Sequence, residues 1–509
     1  MQAAHRVLLN TIILYAKILV TMFISLYTVP LVLRALGASD YGLFNLVAGV
    51  IAMLAFLNAS MTVSTQRFMS VYMGSGDLTK INAVFNASIV LHVIIAFLVF
   101  LLFEGASLFL FSGFLNIVPD RIDAAKIVYQ FLVISMMFTI LSVPFEAIIN
   151  ANENMLALSV ISIVDSVLKL ALAISLSMIS YDKLVFYGLG FTVITVFCMI
   201  CMMVYTKYKY ADIRFNIRRS FSQELFKEMF GFAGYNTLSG FAMICRNQGI
   251  AVVLNLFFGT VVNAAYGVAN QINGVLSNFS STLQMSINPQ LMKSEGAQNR
   301  ERMLNISFMS SKFSVLVLSF FAIPLIIEMP YVLRLWLHDF PEETLWFSRL
   351  ILILSLIYQY SVGLMSAIQS VGKIKQYTIT ICIVLLMNIP VACFLLWLGF
   401  PAWSVLCGMI FIEAIALAVR LFFAKKLMGL DVSLFLKQVF LPTFLTMCIS
   451  FGIPTILSAF LPSSLIRLVI TTVICISITL FGTWFFILGA TEKEFVKEIL
   501  NSKILRRNV

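Results

Sequence analysis

A few ionisable residues sit inside long apolar stretches of this chain, and any chemistry must be sought there. Lys17 lies in the first such stretch, Asp165 and Lys169 in the fifth, Arg246 in the seventh and Glu413 in the twelfth. A charge near the centre of a membrane-spanning helix costs about 2.5–3.5 kcal/mol on insertion scales, so each needs a physical reason. Neither Lys17 nor Arg246 has an acidic residue within two helical turns in sequence. Two such cations facing one cavity would suit a phosphate-bearing or otherwise anionic ligand. The alternative is a structural pairing with an acid on a neighbouring helix, for which Glu413 is available. Asp165 and Lys169 are spaced i, i+4 and share a helix face, either as a self-neutralised pair or as a ligand contact and protonatable site. Glu104 and Glu146 lie nearer the ends of their stretches, where snorkelling relieves them.

Uncharged polar residues follow the same logic. Asn270, Asn273, Ser277, Ser281, Gln284 and Asn288 recur every three or four residues and so occupy one helix face. Amides and hydroxyls in such a stripe line a sugar- or water-filled cavity, or they hold helices together. A shorter stripe of Asn58, Thr62, Thr65 and Gln66 ends at Arg67, and Asn247 and Gln248 extend the polar face beside Arg246. The candidate substrate-binding set is therefore Lys17, Arg67, Lys169, Arg246, Asn247, Gln248, Asn270, Asn273 and Gln284. Asp165 and Glu413 are the candidate carriers for proton or sodium coupling.

No nucleotide-binding loop, nucleophile elbow or zinc-protease motif is present, and there are three histidines. The acidic cluster Asp339, Glu342 and Glu343 reads as a solvated loop. The eight cysteines fall in or beside apolar runs, and Cys198-x-x-Cys201 lacks a second ligand pair, so free buried thiols are expected, with no metal and no cofactor.

The elements that position these residues must be helices in a bilayer. The 509 residues are 61% hydrophobic and 11% charged, against about 25% charged in a soluble domain. This excludes a soluble enzyme, a disordered chain and a nucleic-acid-binding module. Backbone polar groups cannot stay unpaired in lipid, and about 20 apolar residues cross it as a helix. Fourteen runs qualify: 8–35, 42–70, 82–111, 123–149, 155–180, 184–206, 229–258, 264–291, 303–328, 343–370, 375–398, 401–424, 434–459 and 464–489. The first is too long for a cleaved signal segment and reads as a span. Of the 34 lysines and arginines, 24 fall in loops or near span ends on the side of the two termini, Arg420 among them, 7 likewise on the other side, and 3 (Lys17, Lys169 and Arg246) deep within spans. The positive-inside rule then places both termini in the cytoplasm.

An internal repeat is visible at an offset of about 220 residues. Leu31-Val-Leu33, Gly37 and Asp40-Tyr-Gly-Leu-Phe are echoed by Val252-Val-Leu254, Gly259 and Asn263-Ala-Ala-Tyr-Gly, and Gln66 by Gln290. The division expected is an N-terminal lobe at 1–206, a basic linker at 207–228, a C-terminal lobe at 229–427 and two further spans with a tail at 428–509. The linker ends in an amphipathic stretch, Phe221–Phe230, with Phe221, Leu225 and Met229 at helical spacing. The tail from Thr491, with Phe495, Ile499 and Leu500, reads the same way. Parallel repeats of six spans point to an alternating-access transporter with its site where the lobes meet.

These residues carry a family resemblance. Leu33–Asn45, Thr65–Phe68, Gly74–Asp77, Val164–Leu170, Phe230–Asn236 and above all Phe258–Gln271 resemble bacterial polysaccharide biosynthesis proteins, the O-antigen flippases of the multidrug/oligosaccharidyl-lipid/polysaccharide exporter superfamily. The resemblance implies an all-α, V-shaped, MATE-like integral membrane protein of about 14 helices, two six-helix lobes plus two. It also implies residence in the bacterial inner membrane and translocation of an undecaprenyl-pyrophosphate-linked oligosaccharide to the periplasmic leaflet. The family's lumen is typically cationic. The implied partners are the lipid-linked oligosaccharide, membrane lipids, and the glycan polymerase and glycosyltransferases of the same pathway; no nucleic acid is involved. The expected protein is thus a flippase and not an enzyme. A cation-coupled multidrug exporter is disfavoured by Lys17 where that group carries an acid. A lipid II flippase is closer. A membrane-embedded glycan polymerase or ligase would need a larger external loop than this chain has.

Overall fold

A computed structural model describes residues 2–52, 55–111, 117–213, 215–216, 222–337, 340–489 and 492–494 of the chain. These residues form helices joined by short connections. They are α1 Gln2–Ala52, α2 Ala55–Ser75, α3 Leu78–Phe109, α4 Ile122–Ala151, α5 Met155–Ser175 and α6 Lys183–Lys209. Then come α7 Gln223–Phe258, α8 Thr260–Gly296, α9 Arg300–Leu337, α10 Glu343–Val371, α11 Lys375–Leu386 and α12 Asn388–Trp397. The last are α13 Ser404–Met428, α14 Val432–Phe435, α15 Leu441–Ala459 and α16 Leu465–Gly482.

Polar residues between the apolar runs start the helices by accepting from orphan backbone N–H groups. Asp77 caps α3 through Lys80 N, Asn154 caps α5 through Ala157 N, and Asp182 caps α6 through Leu184 and Val185 N. Prolines account for the two subdivided spans. Pro390 cannot donate within the helix, and the run expected over 375–398 is split into α11 and α12 at Met387 just before it. Pro442 follows a π turn at Leu436–Phe440 that separates α14 from α15.

Twelve helices among the described residues are long and apolar enough to cross a membrane. The two expected spans outside that set are the second and the eighth, the ones bearing the polar stripes. The second is split between the end of α1 and α2, and the eighth is α8. Each follows a glycine with the same positive φ: 79° at Gly37, inside α1, and 79° at Gly259, between α7 and α8. Only glycine adopts this region at little cost, so the repeated glycine of the sequence marks a repeated sharp junction.

The chain divides into two compact units. One comprises Arg6–Gly240 with Gly296–Gln298, and the other Met1–His5, Phe241–Glu295 and Asn299–Val509. Inside the first, Val32 and Phe44 of α1 pack with Val99 and Phe103 of α3, Tyr129 and Leu132 of α4, and Leu184 of α6. Inside the second, Leu254 of α7 and Tyr266 of α8 pack with Leu318 of α9, Phe347 of α10, Ala392 of α12 and Leu406 of α13. The stretch after α6 is tied back to α3, where the Asn82 side chain donates to Asp212 O and Asn216 N donates to the Asn86 side chain.

The amphipathic segment expected before the seventh span is not a separate element. From Gln223 onward it is the first turns of α7, with Leu225 half-buried and Met229 buried, because nothing in 223–230 breaks the helix. Phe221 lies outside the described residues, as do Asp339, the tail residues Phe495, Ile499 and Leu500, and the side chain of Asn58. All eight cysteines are free; Cys198, Cys382 and Cys475 are buried, whereas Cys407 and Cys448 are exposed.

Candidate functional site

The most concentrated buried charge lies in the second unit. Glu413 and Arg420 are seven residues apart on α13, two turns along one face. The side chains of both are 2% exposed, and Arg420 Nη1 donates to Glu413 Oε1 at 2.5 Å. The same nitrogen donates to Ser361 Oγ of α10 at 2.9 Å, and the guanidinium lies 5.6 Å from the centre of the Tyr358 ring. Tyr377 of α11 is within electrostatic reach of Arg420, whose Nε is buried without a partner. The other carboxylate oxygen, Glu413 Oε2, faces Arg246 Nη1 of α7 at 3.6 Å.

Two guanidinium groups therefore share one carboxylate, which leaves a local excess of positive charge where the dielectric is low. The two arginines are not equivalent. Arg420 is enclosed, whereas the Arg246 side chain is 12% exposed and its Nε donates to Asn247 Oδ1 at 3.1 Å. Asn247 and Gln248 are exposed. Of the two readings open for Arg246, pairing with Glu413 is what the geometry shows. The excess charge persists because Glu413 already serves Arg420. Arg420 lies near a span end and so counts with the loop cations, yet its i, i+7 spacing from Glu413 marks the pair in the sequence.

The stripe on α8 divides by function. Gln284 is buried, donates to Ser314 Oγ at 2.6 Å and accepts from Ser310 Oγ at 2.8 Å, both on α9. Asn273 accepts from Ser355 of α10 and from Ser277 of its own helix. Ser280, outside the predicted stripe, donates to Gln359 of α10 at 2.5 Å. These bonds hold α8 against α9 and α10. Asn270 is half-buried and bonds its own backbone at Tyr266 O, Ser281 is exposed, and Asn288 Oδ1 is buried without a partner.

The remaining predicted residues lie in the first unit. Lys17 is half-buried on α1, within the electrostatic reach of Glu146 of α4. Arg67 is buried, with its guanidinium 4.4 Å from the Phe68 ring centre and 5.0 Å from that of Phe232, and it reaches Glu228 at 3.8 Å. Gln66 beside it donates to Asn150 of α4 at 3.3 Å. Lys169 donates to Asp165 at 2.8 Å, lies 4.5 Å from the Phe191 ring centre, and so forms the local pair that its spacing predicts. The other Asp165 oxygen accepts from the Cys198 thiol at 3.9 Å.

Among the ion pairs that were not anticipated are two long-range sets. Glu328 of α9 is completely buried and accepts from Arg467 of α16 at 2.8 and 3.1 Å and from Thr471 at 3.0 Å. Arg121 bridges Asp40 and Asp182, the latter at 2.6 Å. Neither pair is close in sequence, so no spacing rule exposes it.

The family model described as polysaccharide biosynthesis protein matches residues 7–295. No curated protein is similar enough in sequence to count as a match. Among solved structures, an outward-facing multidrug resistance MATE family transporter of the MOP superfamily is 14% identical; the alignment covers 82% of this chain and 95% of that one, with a TM-score of 0.70. A MATE transporter in complex with MaD3S is also 14% identical, covering 84% and 97% with a TM-score of 0.72. A MOP superfamily transporter from Pyrococcus furiosus, whose binding pocket is described as reversed in polarity, is 14% identical and covers 82% and 95% with a TM-score of 0.69. At this identity the likeness is one of fold: all-helical, membrane-spanning and MATE-like. With its family model matched over more than half of its length, the chain belongs to the polysaccharide biosynthesis protein family.

Proposed function

We propose that this protein is a flippase for an undecaprenyl-pyrophosphate-linked oligosaccharide, the repeat unit of an O-antigen, capsule or exopolysaccharide. The reading places it in the bacterial inner membrane with both termini cytoplasmic, and translocation proceeds by alternating access without a catalytic step. The observation that carries it is the Arg246–Glu413–Arg420 cluster, one half-buried and one enclosed guanidinium on one buried carboxylate in a member of a polysaccharide biosynthesis family. A diphosphate is an anion that planar, bidentate guanidinium donors suit. A net-positive site also repels the cationic drugs that a multidrug exporter carries. Asn247 and Gln248, exposed beside Arg246, favour a hydrated surface there, because unpaired amides facing lipid are costly. Lys17 and Arg67 are further contacts for the phosphates or sugars in this reading. Asp165, with one oxygen on Lys169 and the other on Cys198, is the carrier for a coupling cation.

The test is complementation of a bacterium lacking its own flippase, with surface glycan as the readout. Wild type restores the glycan, and Arg246→Ala does not, at equal protein level in the membrane. Rescue by both keeps the flippase and removes Arg246 from the site. Failure with several glycan donors, together with drug resistance gained by the host, replaces the reading with a multidrug exporter.

A further inference from the structure

We propose that Glu413 is a resident counter-ion, holding the anion position of the cluster until a phosphate of the substrate displaces it from Arg246. The proposal rests on the phosphate-bearing substrate of the preceding reading and assigns a distinct task to each member of the cluster. It differs from a role for Glu413 as a carrier of the coupling cation.

The asymmetry of the two contacts carries the argument. Glu413 and Arg420 belong to one helix, meet at 2.5 Å and are both enclosed, and Arg420 is further held by Ser361. That pair is fixed by its shared helix and by the bond to α10. Arg246 comes from a different helix, meets the carboxylate only at 3.6 Å and is the more exposed of the two arginines. Its terminal contact is longer than a charge-assisted hydrogen bond of about 2.7–2.9 Å. Its Nε is anchored to the exposed Asn247, so the guanidinium already spans the distance from the enclosed carboxylate to an accessible surface.

An empty site holding only Arg246 would be an unpaired, largely desolvated cation, which is costly. Glu413 removes that cost at rest. Because Arg420 keeps the carboxylate neutralised, Glu413 can release Arg246 without being left as a bare buried anion. A rotamer change in one arginine then transfers it from carboxylate to phosphate. Arg420 is a positioning residue in this scheme, since it never needs to touch the substrate.

The carboxylate and the substrate anion therefore compete for one guanidinium, and removing the competitor must tighten anion binding. The probe is farnesyl diphosphate, measured against purified full-length protein in detergent by calorimetry, with farnesol as the uncharged control. Glu413→Gln is expected to bind farnesyl diphosphate about tenfold tighter than wild type, with farnesol unchanged. The double variant Glu413→Gln/Arg420→Gln removes the partner pair without altering the net charge; it should also bind more tightly and carries the test if the single variant misfolds. A role for Glu413 as a structural brace alone leaves the affinity unchanged or weaker in both variants, which overturns the proposal. Arg246→Ala separates the two readings. If it binds farnesyl diphosphate as wild type does, the anion site itself is misplaced. If it loses binding while the Glu413 variants gain nothing, the site stands and the counter-ion exchange falls.

Discussion

Replacing Arg467 by methionine would leave Glu328 with Thr471 as its remaining side-chain partner, at a position that is completely buried. Arg467 supplies two of the three side-chain hydrogen bonds to that carboxylate and also donates to the backbone oxygens of Ser458 and Leu461, which close the turn between α15 and α16. Removing one partner of a buried pair costs about 3–5 kcal/mol, because the survivor is an uncompensated charge. The reverse change, Glu328→Gln, is milder. The amide still accepts from Arg467 or Thr471, and the Arg467 side chain, 15% exposed, keeps its backbone acceptors, so the loss is about 1–3 kcal/mol. The double variant should therefore be more stable than the sum of its singles by about 1–3 kcal/mol. Reversible unfolding in mixed micelles of increasing dodecyl sulfate content gives the four corners of the cycle. A loss below about 1 kcal/mol for Arg467→Met, or strict additivity of the two changes, refutes the view that this pair docks α16 on α9.

Three further outcomes follow from individual contacts. Gly37→Ala should destabilise the protein by about 1–3 kcal/mol in a thermal-shift assay, since φ 79° and ψ 166° is a conformation left essentially to glycine; Gly42→Ala, at a glycine without positive φ, should change little. Gln284→Leu breaks bonds to both Ser310 and Ser314 and should cost about 1 kcal/mol, whereas Asn270→Leu, which breaks a bond to its own helix, should cost less when both are unfolded in micelles. Burial opposes ionisation of Asp182, but its bonds to Arg121 and to the backbone N–H groups of Val185 and Leu184 outweigh this and hold its carboxyl below the usual 3.8. A lowered folded value means the stabilisation is present above the ordinary aspartate range and is lost as pH falls through it. Melting temperature against pH should thus drop more steeply below about pH 4 for wild type than for Asp182→Asn, and parallel curves would count against the bridge.

Several features were legible because they are local. The Asp165–Lys169 pair follows from i, i+4 spacing on a helix that the apolar run already requires, and the structure closes it at 2.8 Å. The repeated glycine, Gly37 and Gly259, shows as the same backbone angle in both halves of the repeat. The second and eighth spans were expected as apolar runs of membrane length, yet among the described residues neither is one of the twelve helices long and apolar enough to cross, and the second is divided between α1 and α2. Arg420 lies close enough to the end of its span to pass for a loop charge, and the amphipathic stretch expected before the seventh span is, from Gln223, the first turns of α7 itself.

Sequence alone determined the class of molecule. Run length, the absence of water in a bilayer and the obligation to pair every backbone group leave helices as the only solution for fourteen apolar stretches, and short motifs place the chain in its family. Tertiary structure decided which charges meet. Gln284 binds across to α9 while Asn270, on the same stripe, turns to its own helix. Glu413 answers Arg420 and Arg246 together, and Glu328 finds Arg467 across 139 residues. Such partners are chosen by the approach of separate helices, a property of packing between faces that no periodicity within one helix encodes.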